Sequence, residues 1–72
     1  MRILDSARKR GITDDAILHV MRHAIKIIEQ DDDVTMFIGA TQDGTVLEVG
    51  AVMDEDDPRV VHAMPARAKF WP

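Results

Sequence analysis

The dipeptide Asp43-Gly44 divides two alternating segments and constrains this chain more than any other feature. Asp-Gly in that setting signals a two-residue type I′ hairpin, because both turn positions need positive φ. With Gln42 facing Thr45, Val34, Met36, Ile38 and Ala40 lie across from Met53, Ala51, Val49 and Leu47, and all eight are apolar. The other face pairs Thr35 with Val52, Phe37 with Gly50, Gly39 with Glu48 and Thr41 with Val46. A one-residue slip mixes the two sets, so the pattern selects this register. Asp54-Glu55-Asp56-Asp57-Pro58 forms the next turn and residues 59–64 a further strand. With Met53 facing Arg59, Val61 and Ala63 join the apolar face, while Val60, His62 and Met64 join Glu48 and Gly50 on the other. Pro65 ends that strand, and residues 66–71 form a short tail of one helical turn.

Upstream, residues 3–10 read as a short helix stopped by Gly11, which carries no Cβ penalty at positive φ. Thr13 is the N-cap of a second helix, with Asp14 and Asp15 in its first turn, where carboxylates favour the helix dipole. Ile17, Val20, Met21 and Ala24 form its apolar stripe, and His19, Arg22, His23 and Lys26 its basic one. Near Ala24 the pattern changes to strand, since Ile25, Ile27 and Ile28 are β-branched and an acidic turn follows. The expected fold is α+β over residues 1–72 as a single domain. It has two N-terminal helices packed on the all-apolar face of a three- to four-stranded antiparallel meander, with a short C-terminal tail.

A chain of 72 residues is one small domain, and it has no cysteine to add a disulfide or a thiolate metal site. No apolar run approaches the ~18 residues of a membrane span and no signal-peptide core opens the chain, so a cytoplasmic protein is expected. The net charge of −4 is segregated. Residues 1–26 hold six basic groups against three acids, residues 27–57 hold ten acids and no base, and residues 58–72 add three bases. The meander brings the 31–33 and 54–57 turns to one end and gathers seven carboxylates there. Such turns bind a divalent cation or, in the plainer reading, keep a small sheet soluble and discourage edge pairing.

His19 and His23 have the i, i+4 spacing of zinc-binding helices, but Val20 stands where such a helix needs its glutamate. Two imidazoles beside Arg22 and Lys26 are an incomplete site, so no metal and no other cofactor is expected. No glycine-rich phosphate loop is present, and Ser6, the only serine, lies in the first basic segment. The remaining constellation is on the open face of the sheet, where the registers place His62 beside Glu48, followed by Arg67, Lys69, Phe70 and Trp71. A His or Glu that moves a 2′-hydroxyl proton, with Arg or Lys to hold phosphorane charge, suffices for metal-free RNA cleavage. Phe37, Phe70 and Trp71 would stack on unpaired bases. The plainer alternative makes His62 a hydrogen-bonded structural residue and Phe70 and Trp71 anchors of the tail.

Ala7-Arg8-Lys9-Arg10-Gly11-Ile12-Thr13-Asp14 followed by an amphipathic helix resembles the opening of BrnT-like toxins from bacterial toxin–antitoxin pairs. Asp43-Gly44-Thr45-Val46-Leu47-Glu48-Val49 resembles their central hairpin. Val61-His62-Ala63-Met64-Pro65-Ala66-Arg67-Ala68-Lys69-Phe70 is similar to their last strand and basic tail. The resemblance runs from Arg2 to Trp71. It implies a RelE-like fold, metal-independent ribonuclease activity that arrests translation, and neutralisation by a cognate antitoxin. Matching positions are His62 in the last strand and Arg67 and Lys69 in the tail. That group is usually basic, unlike this chain, and its longer members carry an extra N-terminal segment and an arginine-rich C-terminal helix.

Two functions are therefore expected. The first is a toxin ribonuclease with His62, Glu48 and Arg67 as catalytic residues. Arg8, Lys9, Arg10, Arg22, Lys69, Phe37 and Trp71 would bind RNA, including ribosome-associated mRNA. Its partners would be an antitoxin and RNA, with a homodimer allowed and no membrane. The second is a non-catalytic protein-binding module of the same fold that acts through its acidic pole and open sheet face.

Overall fold

The computed structural model describes residues 1–30 and 32–70. Along the chain run β1 (Arg2–Ile3), a 3₁₀ turn (Asp5–Arg8), α1 (Asp14–Arg22), β2 (Lys26–Glu29), β3 (Val34–Ala40), β4 (Val46–Val52) and β5 (Arg59–Pro65). The strands form one mixed sheet in the order β1-β5-β4-β3-β2. β1 runs parallel to β5, and the other neighbours are antiparallel.

The expected pair of helices on a three- to four-stranded antiparallel meander is thereby corrected to one α-helix on a five-stranded mixed sheet. An isolated helix as short as residues 3–10 is marginal, and the backbone there finds better partners in β5. The Arg2 N–H donates to Pro58 O at 3.3 Å and the Leu4 N–H to Val60 O at 3.0 Å. Only the turn Asp5–Arg8 remains helical, and it buries Ala7. Gly11, at φ 73°, ends this segment. α1 forms where its caps lie: Thr13 Oγ1 accepts from the Ala16 N–H at 3.1 Å, and Asp14 and Asp15 occupy the first turn.

The β3–β4 hairpin corrects the expected register. Thr41, not Gln42, faces Thr45: the Thr41 N–H donates to Thr45 O at 2.8 Å and the Gly44 N–H to Thr41 O at 3.0 Å. Of the loop residues only Gly44 has positive φ, 88°, so a three-residue type I turn with a left-handed glycine replaces the I′ turn. Asp43 stays on the negative side of φ. Its carboxylate accepts from the Thr45 N–H at 3.1 Å and from the Thr41 hydroxyl.

This one-residue shift sends the apolar residues of the hairpin to opposite faces. Phe37, Leu47, Val49 and Ala51 lie under α1, packed with Ala7, Ile17, Val20, Val60 and Ala63. Met36 and Ile38 lie on the opposite face, packed with Phe70 and with Ile28, Val46 and Ala66. α1 sits close on the sheet because Gly39 lacks a Cβ, which would stand 3.3 Å from both Ala24 Cα and Val20 O.

Between β4 and β5 the expected register holds at Glu48–Met64, Val49–Ala63 and Gly50–His62, then shifts, pairing Ala51 with Val60 and Val52 with Arg59. The extra residue is Val61, so Val60 rather than Val61 enters the core under α1. The Ser6 hydroxyl donates to Val61 O at 2.7 Å, which satisfies the bulge. No helix of the described residues is long and apolar enough to cross a membrane.

Candidate functional site

The sheet face opposite α1 carries the candidate site. Pairing of Gly50 with His62 and Glu48 with Met64 puts His62 one step diagonally from Glu48 on that face. Gly50 leaves room for the imidazole, since a Cβ there would lie 3.2 Å from His62 Cβ. After Pro65 the chain turns back over the face. The Ala66 N–H donates to Val46 O at 3.0 Å and the Phe70 N–H to Arg67 O at 2.9 Å, and Phe70 becomes buried.

Glu48 has 0% exposure and is the one buried charged side chain among the described residues. Its Oε1 accepts from the Arg67 backbone N–H at 2.8 Å and from Arg67 Nε at 3.0 Å. Its Oε2 accepts from Arg67 Nη2 at 2.8 Å and meets His62 Nε2 at 2.9 Å. Burial pushes the carboxyl pKa up, but the Arg67 side chain and backbone N–H, joined by His62, outweigh it and bring the pKa down to about 2. The same bond raises the Arg67 pKa. An ionised carboxylate only accepts, so His62 Nε2 carries the proton in this contact and Nδ1 of the neutral ring keeps its lone pair. Nδ1 has no hydrogen-bond partner among the described residues, and the His62 side chain is 34% exposed.

Cations gather around Phe70. The Arg67 guanidinium carbon lies 5.3 Å and Lys69 Nζ 5.0 Å from the ring centroid, while Lys26 Nζ donates to Phe70 O at 3.5 Å. Lys26, read in the sequence as part of the basic helix stripe, is instead on β2 and turned to this face. The alternation of Ile25 and Ile27 with Lys26 and Ile28 was the available signal.

The geometry thus unites His62, Glu48 and Arg67 but changes the part Glu48 can play. Both its oxygens are occupied and it is ionised far below neutral pH, so it orients His62 and Arg67 and is not a proton acceptor. Phe37 lies under α1 on the far side of the sheet and is not a stacking surface. Arg8, Lys9, Arg10 and Arg22 belong to the helical layer, across the sheet from His62, and Arg8 is held by Asp14 at 2.8 and 3.0 Å. Trp71 lies outside the described residues.

The His19 and His23 rings lie 4.6 Å apart between centroids, tilted by 46°, and no group of three metal-ligating side chains exists among the described residues. The two acidic turns do share one end of the sheet, where Glu29, Asp32, Asp33 and Asp54 line a cleft with Arg59, while Asp31 lies outside the described residues.

A mixed five-stranded sheet covered on one side by a single helix and on the other by its own tail defines a small α+β domain with an imidazole hydrogen-bonded to a buried carboxylate on the tail side. Residues 3–65 match the model of a family described as a domain of unknown function, DUF4258, and the chain belongs to that family. No curated protein and no solved structure matches it.

Proposed function

We propose that this protein is the toxin of a bacterial toxin–antitoxin pair, a cytoplasmic ribonuclease that cleaves RNA without a metal ion. The observation that carries the reading is the meeting of His62 and Arg67 on one buried carboxylate, with Lys26 and Lys69 beside them. The resemblance of the hairpin, last strand and basic tail to BrnT-like toxins supports it. In the reaction, His62 Nδ1 accepts the 2′-hydroxyl proton as the 2′-oxygen attacks the adjacent phosphorus. The bond to the 5′-oxygen breaks, and that oxygen takes a proton back from the imidazolium. The products are a 2′,3′-cyclic phosphate and a 5′-hydroxyl. Arg67 and Lys69 stabilise the charge that builds on the phosphoryl oxygens. Glu48 holds the ring with Nδ1 facing out.

Cleavage of RNA by the purified chain in EDTA tests this. His62→Ala is expected to lose roughly 10²–10⁴-fold in rate, the scale of general acid–base catalysis, and to abolish growth arrest on expression. Undiminished cleavage by that variant, or cleavage that needs magnesium, would overturn the assignment. The shared acidic cleft of the two turns favours a second reading, in which the chain is a non-catalytic module that holds a basic protein segment. Binding of a basic peptide such as oligolysine that is lost on Asp32→Asn with Asp54→Asn, with no nuclease activity at all, would establish it.

A further inference from the structure

β2 is one of the two outer strands of the sheet, and α1 packs chiefly over β3 and β4. Ile25, just before β2, and Ile27 stand 64% and 59% exposed at this edge, and the pairing of Ile27 with Phe37 puts Ile27 on the helix side. The Gln30 N–H donates to Val34 O at 2.8 Å, and the ladder pairs Ile28 with Met36 and Lys26 with Ile38. In an antiparallel ladder, alternate residues turn their peptide groups inward, so those of Ile27 and Glu29 point away from the sheet, while the Ile25 N–H is taken by Ile38 O at 2.9 Å. An edge with free peptide groups and two exposed isoleucines is a template for another strand.

We infer that the strand it accepts is β2 of a second copy, paired antiparallel about a two-fold axis through Ile27. A two-fold axis normal to the sheet keeps each residue on its own face, so only registers that pair like faces are allowed. With Ile27 on the axis, its N–H and C=O bond those of its mate, Ile25 lies across from Glu29, and Lys26 lies across from Ile28. No like charges stand directly opposite each other, and the Ile27 side chains of the two copies meet on the helix side. The result is a continuous ten-stranded sheet, with both helices on one side and both tail faces on the other. The inference is independent of the nuclease reading.

Sedimentation of the full chain tests the association, and a cysteine pair tests the register. The chain contains no cysteine, so Ile27→Cys introduces a single thiol. Residues in a hydrogen-bonded antiparallel pair have Cα atoms about 5.5 Å apart, within disulfide reach. Ile27→Cys is expected to give a covalent dimer on mild oxidation, and Glu29→Cys to give none, because its mate lies four residues away along the strand. Ile27→Lys is expected to weaken the dimer at least tenfold while keeping the circular dichroism of the parent, and Leu18→Lys, on α1, to leave the dimer intact. A chain that stays monomeric up to millimolar concentration would overturn the inference, including when it captures an unrelated extended peptide at this edge. Equal cross-linking at positions 27 and 29 would do so as well.

Discussion

Glu48 ties the stability of the fold to pH through a single side chain. Its pKa of about 2 lies below the ordinary glutamate value of 4.5 that applies in the unfolded chain. Unfolding therefore takes up a proton between those values, and the stabilisation is complete above pH 4.5 and lost as pH falls through the folded pKa. The shift corresponds to on the order of 3 kcal/mol, a large share of a 72-residue domain's stability. Urea unfolding of the wild type should show a steep fall between pH 4.5 and 2. Glu48→Gln should be less stable at pH 7 and should flatten that fall, and an unchanged slope would remove Glu48 as its source. The sequence pattern showed Glu48 and His62 on one face but hid the burial of Glu48. A lone acid in an apolar strand ordinarily marks the solvent side, and here the returning tail covers that side. Arg67 reached attention only through the basic tail, since nothing in its spacing from Glu48, 19 residues, announces a contact.

At the scale of elements, two glycines do different work, and substitution separates them. Gly44 is needed for its backbone alone: φ is 88° and nothing stands within 4 Å of a Cβ built there. Gly44→Ala should cost about 1–2 kcal/mol, the price of a left-handed alanine. Gly39 has ordinary φ and is needed for space, so Gly39→Ala should push α1 off the sheet, at about 1–3 kcal/mol of overpacking. Pairing each with Val20→Ala in a double-mutant cycle distinguishes the causes, because Gly39→Ala should couple to Val20 and Gly44→Ala should not. The Asp43-Gly44 signal located this turn correctly but not its length. A two-residue and a three-residue loop both place glycine at positive φ, and they differ in whether Asp43 uses its backbone or its carboxylate. Alternation could not decide between them, because both faces of this sheet are covered and both are largely apolar. The same coverage explains why the bulge at Val61 was hidden: two adjacent valines suit either face, and the choice follows the contacts of the N-terminal segment, Leu4 N–H to Val60 O and the Ser6 hydroxyl to Val61 O.

Across the whole molecule, charge is sorted by position in the fold. The cations around Phe70 occupy the tail face, and Glu29, Asp32, Asp33 and Asp54 crowd the end of the sheet where the β2–β3 and β4–β5 turns meet. Arg2 and Arg59 offset part of this through Asp57, at 2.5 and 3.7 Å. Glu29, Asp32, Asp33 and Asp54 are exposed and of like charge, and repulsion between exposed charges acts only within a Debye length, about 10 Å at 0.1 M salt and 3 Å at 1 M. The molecule should therefore melt higher as sodium chloride is added, until that repulsion is screened. Asp54→Asn isolates the effect, because the amide oxygen can still accept from the Asp56 N–H, a bond of 3.0 Å in the parent. The variant should raise Tm by about 2 °C at low ionic strength, the scale of a few tenths of a kcal/mol in a domain of this size. At 1 M salt the two melting points should converge. A gain that persists at high salt would mean that the turn's conformation, rather than its charge, limits stability at this end.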